Sequence, residues 1–287
     1  MTYQSIEVRP VAGALGAEVS GVDLARPLSN SVADEIRRAF VEYLVLFFRE
    51  QSLTPEQHIA FSRLFGPLSR MPYIKHMDEH PEIIAVLKEA DERKISTFGN
   101  AWHSDFSFLD EPPLGSALYA REVPSHGGDT LWANMYDAYE ALSPGMQRML
   151  NGLRAMHSGR PYGRSGVPKD LKTSRSIQIE RENPDADREV AHPVVRVHPE
   201  SGRKALFVNS IYTTRFEDMT EAESRPLLDF LFQHCLRPEF TCRFRWASGS
   251  LALWDNRCTL HYAVNDYDGQ RRLMHRTTIA GERPIAA

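Results

Sequence analysis

Between Phe240 and Trp246 the side chains alternate without a slip. Phe240, Cys242, Phe244 and Trp246 fall on one side of an extended chain, and Thr241, Arg243 and Arg245 fall on the other. A period of two marks an antiparallel strand with one face buried and the other wet. Further short strand-like runs lie at 82–88, 116–121, 194–198, 205–209, 250–255 and 272–280, most of them in the second half of the chain. No glycine-rich turn of the nucleotide-binding kind follows any of them, which disfavours a doubly wound α/β sheet. The expected fold class is mostly β with flanking helices, a sandwich of jelly-roll type.

Capping chemistry announces four helices. Ser31 with Asp34 resembles a capping box ahead of the run 36–44, and Thr54, Pro55 and Gln57 supply the cap, first and third positions of a second helix stopped by Gly66-Pro67. Ser143-Pro144 opens a third that Gly152 can close, and Thr220 with Glu223 opens a fourth before Leu227, Leu228, Leu231 and Phe232. The stretch 158–191, rich in charge, Gly, Ser and Pro, reads as a long loop and is expected to act as a lid or insertion. With no internal repeat, residues 1–287 are expected to form a single domain.

A hydrophobic content of 42% can build a core without disulfides. The 34 Lys plus Arg against 38 Asp plus Glu argue against a general nucleic-acid or anionic-membrane surface. Cys235, Cys242 and Cys258 form no CxxC pair and read as reduced thiols. No basic leader precedes an apolar run and no long uncharged apolar stretch occurs, so a cytoplasmic protein is expected.

Trp102-His103-Ser104-Asp105 puts an imidazole and a carboxylate two residues apart, on one face if the segment is extended. His261, just beyond the apolar strand 251–254, is the candidate third ligand. Two imidazoles and a carboxylate on one face of Fe(II) leave three open positions, enough for a bidentate 2-oxo acid and O₂. Arg272 and Arg276 share parity on one strand-like run and are separated by roughly 13 Å at about 3.3 Å per residue, a spacing suited to two different anions.

WHSD at 102–105, Gly127-Gly128-Asp129-Thr130, the run at 192–209, WDNR at 254–257 and HYAVNDYDGQRRLMHRTTIAG at 261–281 together resemble the taurine/alkyl-sulfate/aryloxyalkanoate dioxygenase family, over about Val8 to Pro284. The resemblance implies a double-stranded β-helix, with His103, Asp105 and His261 as iron ligands. It also implies that Thr130 and Arg272 hold the distal carboxylate of 2-oxoglutarate and that Arg276 meets the acidic head group of the substrate. It further implies a homodimer or homotetramer that hydroxylates a small anionic molecule (a sulfonate such as taurine, an alkyl sulfate, or an aryloxy or other carboxylic acid) while 2-oxoglutarate becomes succinate and CO₂. Met71, Ile74 and Gly99 stand where taurine-specific members carry His, Tyr and Asn, so an acid with a more apolar body is expected; Tyr73, His76 and Asn100 are nearby polar groups. Phe108, Tyr212 and Tyr162 are candidate pocket walls. His126 reads as a turn residue, His192 and His198 as flanking a strand, and His275 as facing away from the arginines. Two other readings stay open: a zinc hydrolase on the same ligand triad, and a non-catalytic anion-binding β-sandwich.

Overall fold

A computed structural model describes residues 3–164 and 176–287. The first half holds β1 (Glu7–Pro10), β2 (Ala17–Ser20), α1 (Asn30–Tyr43), β3 (Val45–Phe48), α2 (Pro55–Ser62), β4 (Ile83–Lys88), β5 (Gly115–Glu122) and β6 (Thr130–Asn134). There follow α3 (Met135–Glu140), α4 (Pro144–Leu150), β7 (Arg154–Ser158), β8 (Glu189–Pro193), β9 (Val195–Val197), β10 (Lys204–Leu206) and β11 (Thr213–Phe216). The chain closes with α5 (Glu221–His234), β12 (Thr241–Phe244), β13 (Leu251–Asp255), β14 (Thr259–Ala263), β15 (Arg272–Ile279) and β16 (Ile285–Ala286). The protein is mostly β with a few helices.

Seven strands form one sheet in the order β1-β2-β3-β13-β5-β15-β4, antiparallel except for the β2–β3 pair. A smaller sheet, β12-β6-β14, faces it, and Phe47 of β3 stacks on Phe244 of β12 at 4.1 Å between ring centroids, closing the space between the two. The central strands β3 and β13 are buried throughout because both faces of the large sheet are covered. Leu46, Phe48, Ala117, Tyr119, Leu251 and Leu253 pack towards α1, against Ile36 and Phe40. Their neighbours Val45, Phe47, Leu118, Ala120, Ala252 and Trp254 pack inward towards the small sheet. Met274 of β15 belongs to the inner core, so the same-parity Arg272 and Arg276 project inward as well. His275 takes the opposite parity.

Phe240, Cys242, Phe244 and Trp246 are buried and Arg243 and Arg245 exposed, as the alternation requires, although β12 itself spans only Thr241–Phe244 and Phe240 belongs to a 3-10 turn. The capping boxes of α2 and α5 form as expected, and Ser143 caps α4. The cap of α1 does not sit at Ser31. Ser29 accepts from the amide of Val32 at 3.4 Å, and the helix ends at Leu44, whose φ of 65° throws the chain directly into β3. Helix α3 escaped the sequence reading because it starts straight from β6, capped by Asn134. The stretch 158–191 is more regular at its ends than a loop: Ser158 belongs to β7, Glu189–Ala191 to β8, and 3-10 turns cover Arg160–Tyr162 and Pro184–Asp187. Its centre, 165–175, lies outside the described residues.

Candidate active site

His103 and His261 meet through their backbones before they meet through their rings. His103 N donates to His261 O at 3.1 Å and His261 N donates to His103 O at 2.8 Å, a two-way bridge that sets the rings 4.1 Å apart. His261 lies beyond the end of β13, as expected, and inside the next strand, β14, where it pairs with Trp132 of β6. Asp105 stands two residues after His103, and the chain turns immediately beyond it, where Phe106 has a φ of 47°. Asp105 Oδ1 lies 3.6 Å from His103 Nε2 and 3.8 Å from His261 Nε2. All three side chains are buried, and their ligand atoms lie within 4.8 Å of one another.

The donor set fits a divalent ion. Nδ1–H of His103 donates to the carbonyl of Ala101 at 2.7 Å, which leaves the Nε2 lone pair turned to the centre. Burial, and then the neighbouring His103 ring, lower His261 to about 3, so its imidazole is neutral and able to ligate. Burial raises Asp105, but Arg276 and the two imidazoles outweigh it and hold the carboxyl well below the ordinary range. Ser116 Oγ donates to Asp105 Oδ2 at 3.1 Å and Arg276 Nη1 to Oδ1 at 3.0 Å, so the carboxylate is held on both oxygens. Asn256 supports the same turn: its Oδ1 accepts from Trp254 Nε1 at 2.9 Å and from the Asp105 amide at 3.4 Å, and its carbonyl accepts from Ser104 Oγ at 2.8 Å.

Arg272 and Arg276 open onto the same small chamber as His103 and His261, walled also by Thr130, Phe98, Leu118 and Trp254. Both guanidiniums are buried, and on each Nε and Nη2 lack a hydrogen-bond partner among the described residues. Burial lowers the pKa of Arg272; the rings of Trp246 and Tyr267 each lie 6.0 Å from its Cζ, and no carboxylate pairs with it among the described residues. A planar cation with two free N–H groups in a buried pocket matches an anion that offers two oxygens. Thr130 Oγ1 accepts from Trp246 Nε1 at 3.0 Å, which leaves the threonine proton free to donate.

Outside the chamber lies an apolar cavity of about 290 Å³, whose walls include Phe98, Gly99, Asn100, Tyr162, Ile177 and Tyr212. Gly99 and Tyr212 are therefore at the cavity, as is Tyr162. Met71 and Ile74 are not among its lining residues: both are buried in the core, where Ile74 pairs with Ile179. Phe108 stands behind the wall, its ring 5.9 Å from Tyr162 and 5.0 Å from Tyr212. His76 turns back on its own segment, with Nε2 3.1 Å from the Met71 amide. His198 engages Asp255 at 3.0 Å, and His192 the carbonyl of Leu109 at 2.8 Å, both away from the triad.

Sequence reasoning missed Ser116, Phe98, Ile177, Ile179, Ile211 and Arg181. Ile177, Ile179 and Arg181 alternate along one segment of the expected lid, whereas Phe98, Ser116 and Ile211 come from separate segments and carry no spacing signal. Asn256 was visible as part of WDNR, but its support of the Asp105 turn was not.

The profile of the family described as "Taurine catabolism dioxygenase TauD, TfdA family" matches residues 7–278. An alkylsulfatase of Acinetobacter baylyi is 36% identical over 97% of this chain and 86% of its own length. An alpha-ketoglutarate-dependent 2,4-dichlorophenoxyacetate dioxygenase of Cupriavidus pinatubonensis is 35% identical over 96% of this chain and 98% of its own. Among solved structures, a taurine dioxygenase from Burkholderia xenovorans superposes with a TM-score of 0.80 at 36% identity, covering 99% of this chain and 92% of that one. The structure of AAD-2 in complex with Mn(II) and N-oxalylglycine gives 0.79 at 31% identity, covering 99% and 100%. Similarity of this extent, running through the bridged histidines and both buried arginines alike, makes the chain a member of the TauD/TfdA dioxygenase family.

Proposed function

We propose that the chain is an Fe(II)- and 2-oxoglutarate-dependent dioxygenase that uses O₂ to hydroxylate a small organic acid with an apolar body, with release of succinate and CO₂. The observation that carries this reading is the pair of buried guanidiniums, each with free nitrogens, opening onto the chamber lined by the two imidazoles, with Arg276 bonded to the Asp105 carboxylate. A zinc hydrolase has no use for a second buried cation beside its ligands, and a simple anion-binding sandwich has no use for the triad.

In this reading His103, Asp105 and His261 hold the iron, which supplies O₂ activation and C–H hydroxylation at the expense of 2-oxoglutarate. Arg272 and Thr130 bind the far carboxylate of 2-oxoglutarate, and Arg276 binds the acid group of the substrate. Placing two anions on two fixed cations orients both reactants before any bond changes. Ser116 and Arg276 hold Asp105, and the Ala101 carbonyl holds the tautomer of His103.

The substrate class rests on the outer cavity. Its described walls contain no Asp or Glu, so an ammonium group finds no partner there, and aromatic and isoleucine side chains dominate. The dichlorophenoxyacetate dioxygenase relative is named for an acid of this kind. Pro161, Tyr162, Ile177, Ile179 and Arg181 among the walls support the reading of 158–191 as a cover over the cavity. The large and small facing sheets support a double-stranded β-helix formed by one domain. The free buried Cys235, Cys242 and Cys258 suit the cytoplasm, and among the described residues no helix is long and apolar enough to cross a membrane. The family resemblance extends the reading to a homo-oligomer.

Anaerobic loading with Fe(II) and 2-oxoglutarate, followed by O₂ and a panel of sulfonates, alkyl sulfates and aryloxy acids, tests it. Succinate formed in step with a hydroxylated or cleaved acid is the expected result. Hydrolysis without O₂ or 2-oxoglutarate would overturn it.

A further inference from the structure

Phe98 lines both the outer cavity and the inner chamber, together with its neighbour Gly99 and with His103. Its ring lies 5.5 Å from Cζ of Arg276. The strap that carries it is anchored on both sides: Thr97 Oγ1 meets Tyr267 OH at 2.7 Å, and Ala263 N donates to Gly99 O at 2.9 Å. Gly99 has a φ of 82°, and a Cβ there would meet Cε1 of His103 at 3.4 Å, so the strap passes directly over the imidazole. The chain on both sides of the ring is thus held in place.

The two spaces differ about tenfold in size. The inner chamber offers about 30 Å³, room for about two waters, against about 290 Å³ outside. An acid approaching from the cavity must pass Phe98 to reach the free nitrogens of Arg276. The group that crosses this gap is the acid head together with the carbon beside it, while the rest of the molecule stays in the wide cavity.

Resting on the dioxygenase reading above, we propose that Phe98 is a specificity-determining residue: the gap beside its ring limits the bulk of the substrate next to its acid group and leaves the distal body free. Shrinking the ring should admit acids branched at that carbon, and lengthening the distal chain should be tolerated without any change at Phe98.

The test compares wild type, Phe98→Ala and Phe98→Leu on three acids sharing one head group: unbranched, branched beside the head group, and extended at the far end. Substrate affinity is measured by calorimetry on the anaerobic protein loaded with Mn(II) and 2-oxoglutarate, and kcat/KM by succinate formation. Phe98→Ala should improve the branched-to-unbranched ratio about tenfold or more in both readouts, the scale of one or two misfitted methylene groups. Phe98→Leu should fall between, and the extended-to-unbranched ratio should stay within about twofold. A branched-to-unbranched ratio unchanged in both variants would overturn the proposal, and Phe98→Leu decides if the alanine variant fails to fold. The binding arm reads Phe98 whether or not turnover occurs; absence of succinate from wild type with every acid would instead count against the dioxygenase reading.

Discussion

The hydroxyl of Ser116 lies 3.1 Å from Oδ2 of Asp105 and leaves Oδ1 as the oxygen nearest both imidazoles. Ser116 comes from β5, whereas Asp105 comes from the turn after the histidine bridge, so the contact fixes the carboxylate's rotation from outside its own segment. Groups that orient a metal ligand typically contribute 10–100-fold to metal affinity. Ser116→Ala should weaken metal binding by about that factor, as measured by anaerobic titration with Mn(II) or Fe(II), with little change in melting temperature. Unchanged metal affinity would show that Asp105 needs no such support.

Arg272 and Arg276 are not equivalent cations. Arg272→Ala should raise the KM for 2-oxoglutarate about 10–100-fold, the scale of a lost charge-assisted hydrogen bond, and move the substrate KM little. Arg276→Ala should raise the substrate KM by a similar factor. It should also weaken metal binding, because Nη1 bonds Oδ1 of Asp105. Equal effects of both variants on both KM values would dissolve the division between a cosubstrate cation and a substrate cation.

The second effect of Arg276 marks where the sequence stops being informative. Strand parity places Arg272, Met274 and Arg276 on one inward face because a strand's period of two is local, and the structure agrees. The donation from Arg276 to Asp105 joins residues 171 apart in the chain, and no local periodicity encodes it. The same holds within the WHSD motif. Its residue types and spacing announced His103 and Asp105 as a pair, but the backbone bridge from His103 to His261 that brings in the third group crosses distant segments. Thr54 and Thr220 were readable because a capping box is written within four residues. Ser29 was missed because Ser31 offered a competing match with Asp34 two positions later. Phe98 and Ile211 gave no signal because a cavity wall assembled from separate loops has no pattern along the chain.

His58 makes stability depend on pH at a distance from the chamber. It is buried in α2, its Nε2 donates to the carbonyl of Ala117 at 3.1 Å, and burial lowers its pKa to about 3 from an unfolded value near 6.5. A depressed folded pKa means that the unfolded chain binds the proton first. The contribution of neutral His58 is therefore fully present above pH 6.5 and is lost as pH falls towards 3, at a limiting slope of about 1.4 kcal/mol per pH unit. His192 and His275, both lowered to about 4 chiefly by burial, act in the same direction. Denaturant midpoints measured from pH 7.5 to 4.5 should fall steadily below pH 6.5, with a smaller slope in His58→Gln. Parallel curves for the two proteins would remove His58 from the account.

His198, Asp255 and Cys258 form a second buried cluster whose ligand atoms also lie within 4.8 Å, and its chemistry differs from that of the triad. Asp255 is already saturated. Oδ1 accepts from Arg257 N and Nε, both at 2.9 Å, and Oδ2 accepts from Arg257 Nη2 at 2.6 Å and from His198 Nε2 at 3.0 Å. Burial pushes the Cys258 thiol well above its ordinary pKa, which disfavours the thiolate a metal would need. The cluster is an ionic clasp on the turn between β13 and β14, the turn that carries Asn256 and leads into His261. Asp255→Asn keeps the shape but leaves the Arg257 charge with only Glu200 at 2.6 Å, the kind of broken buried pair that costs about 3–5 kcal/mol. The melting temperature should drop by about 10 °C. Treatment with a chelator should remove one equivalent of metal from wild type loaded to saturation and leave the clasp intact, since nothing in it depends on an ion. A second tightly held equivalent that is lost in Asp255→Asn would make the cluster a metal site after all.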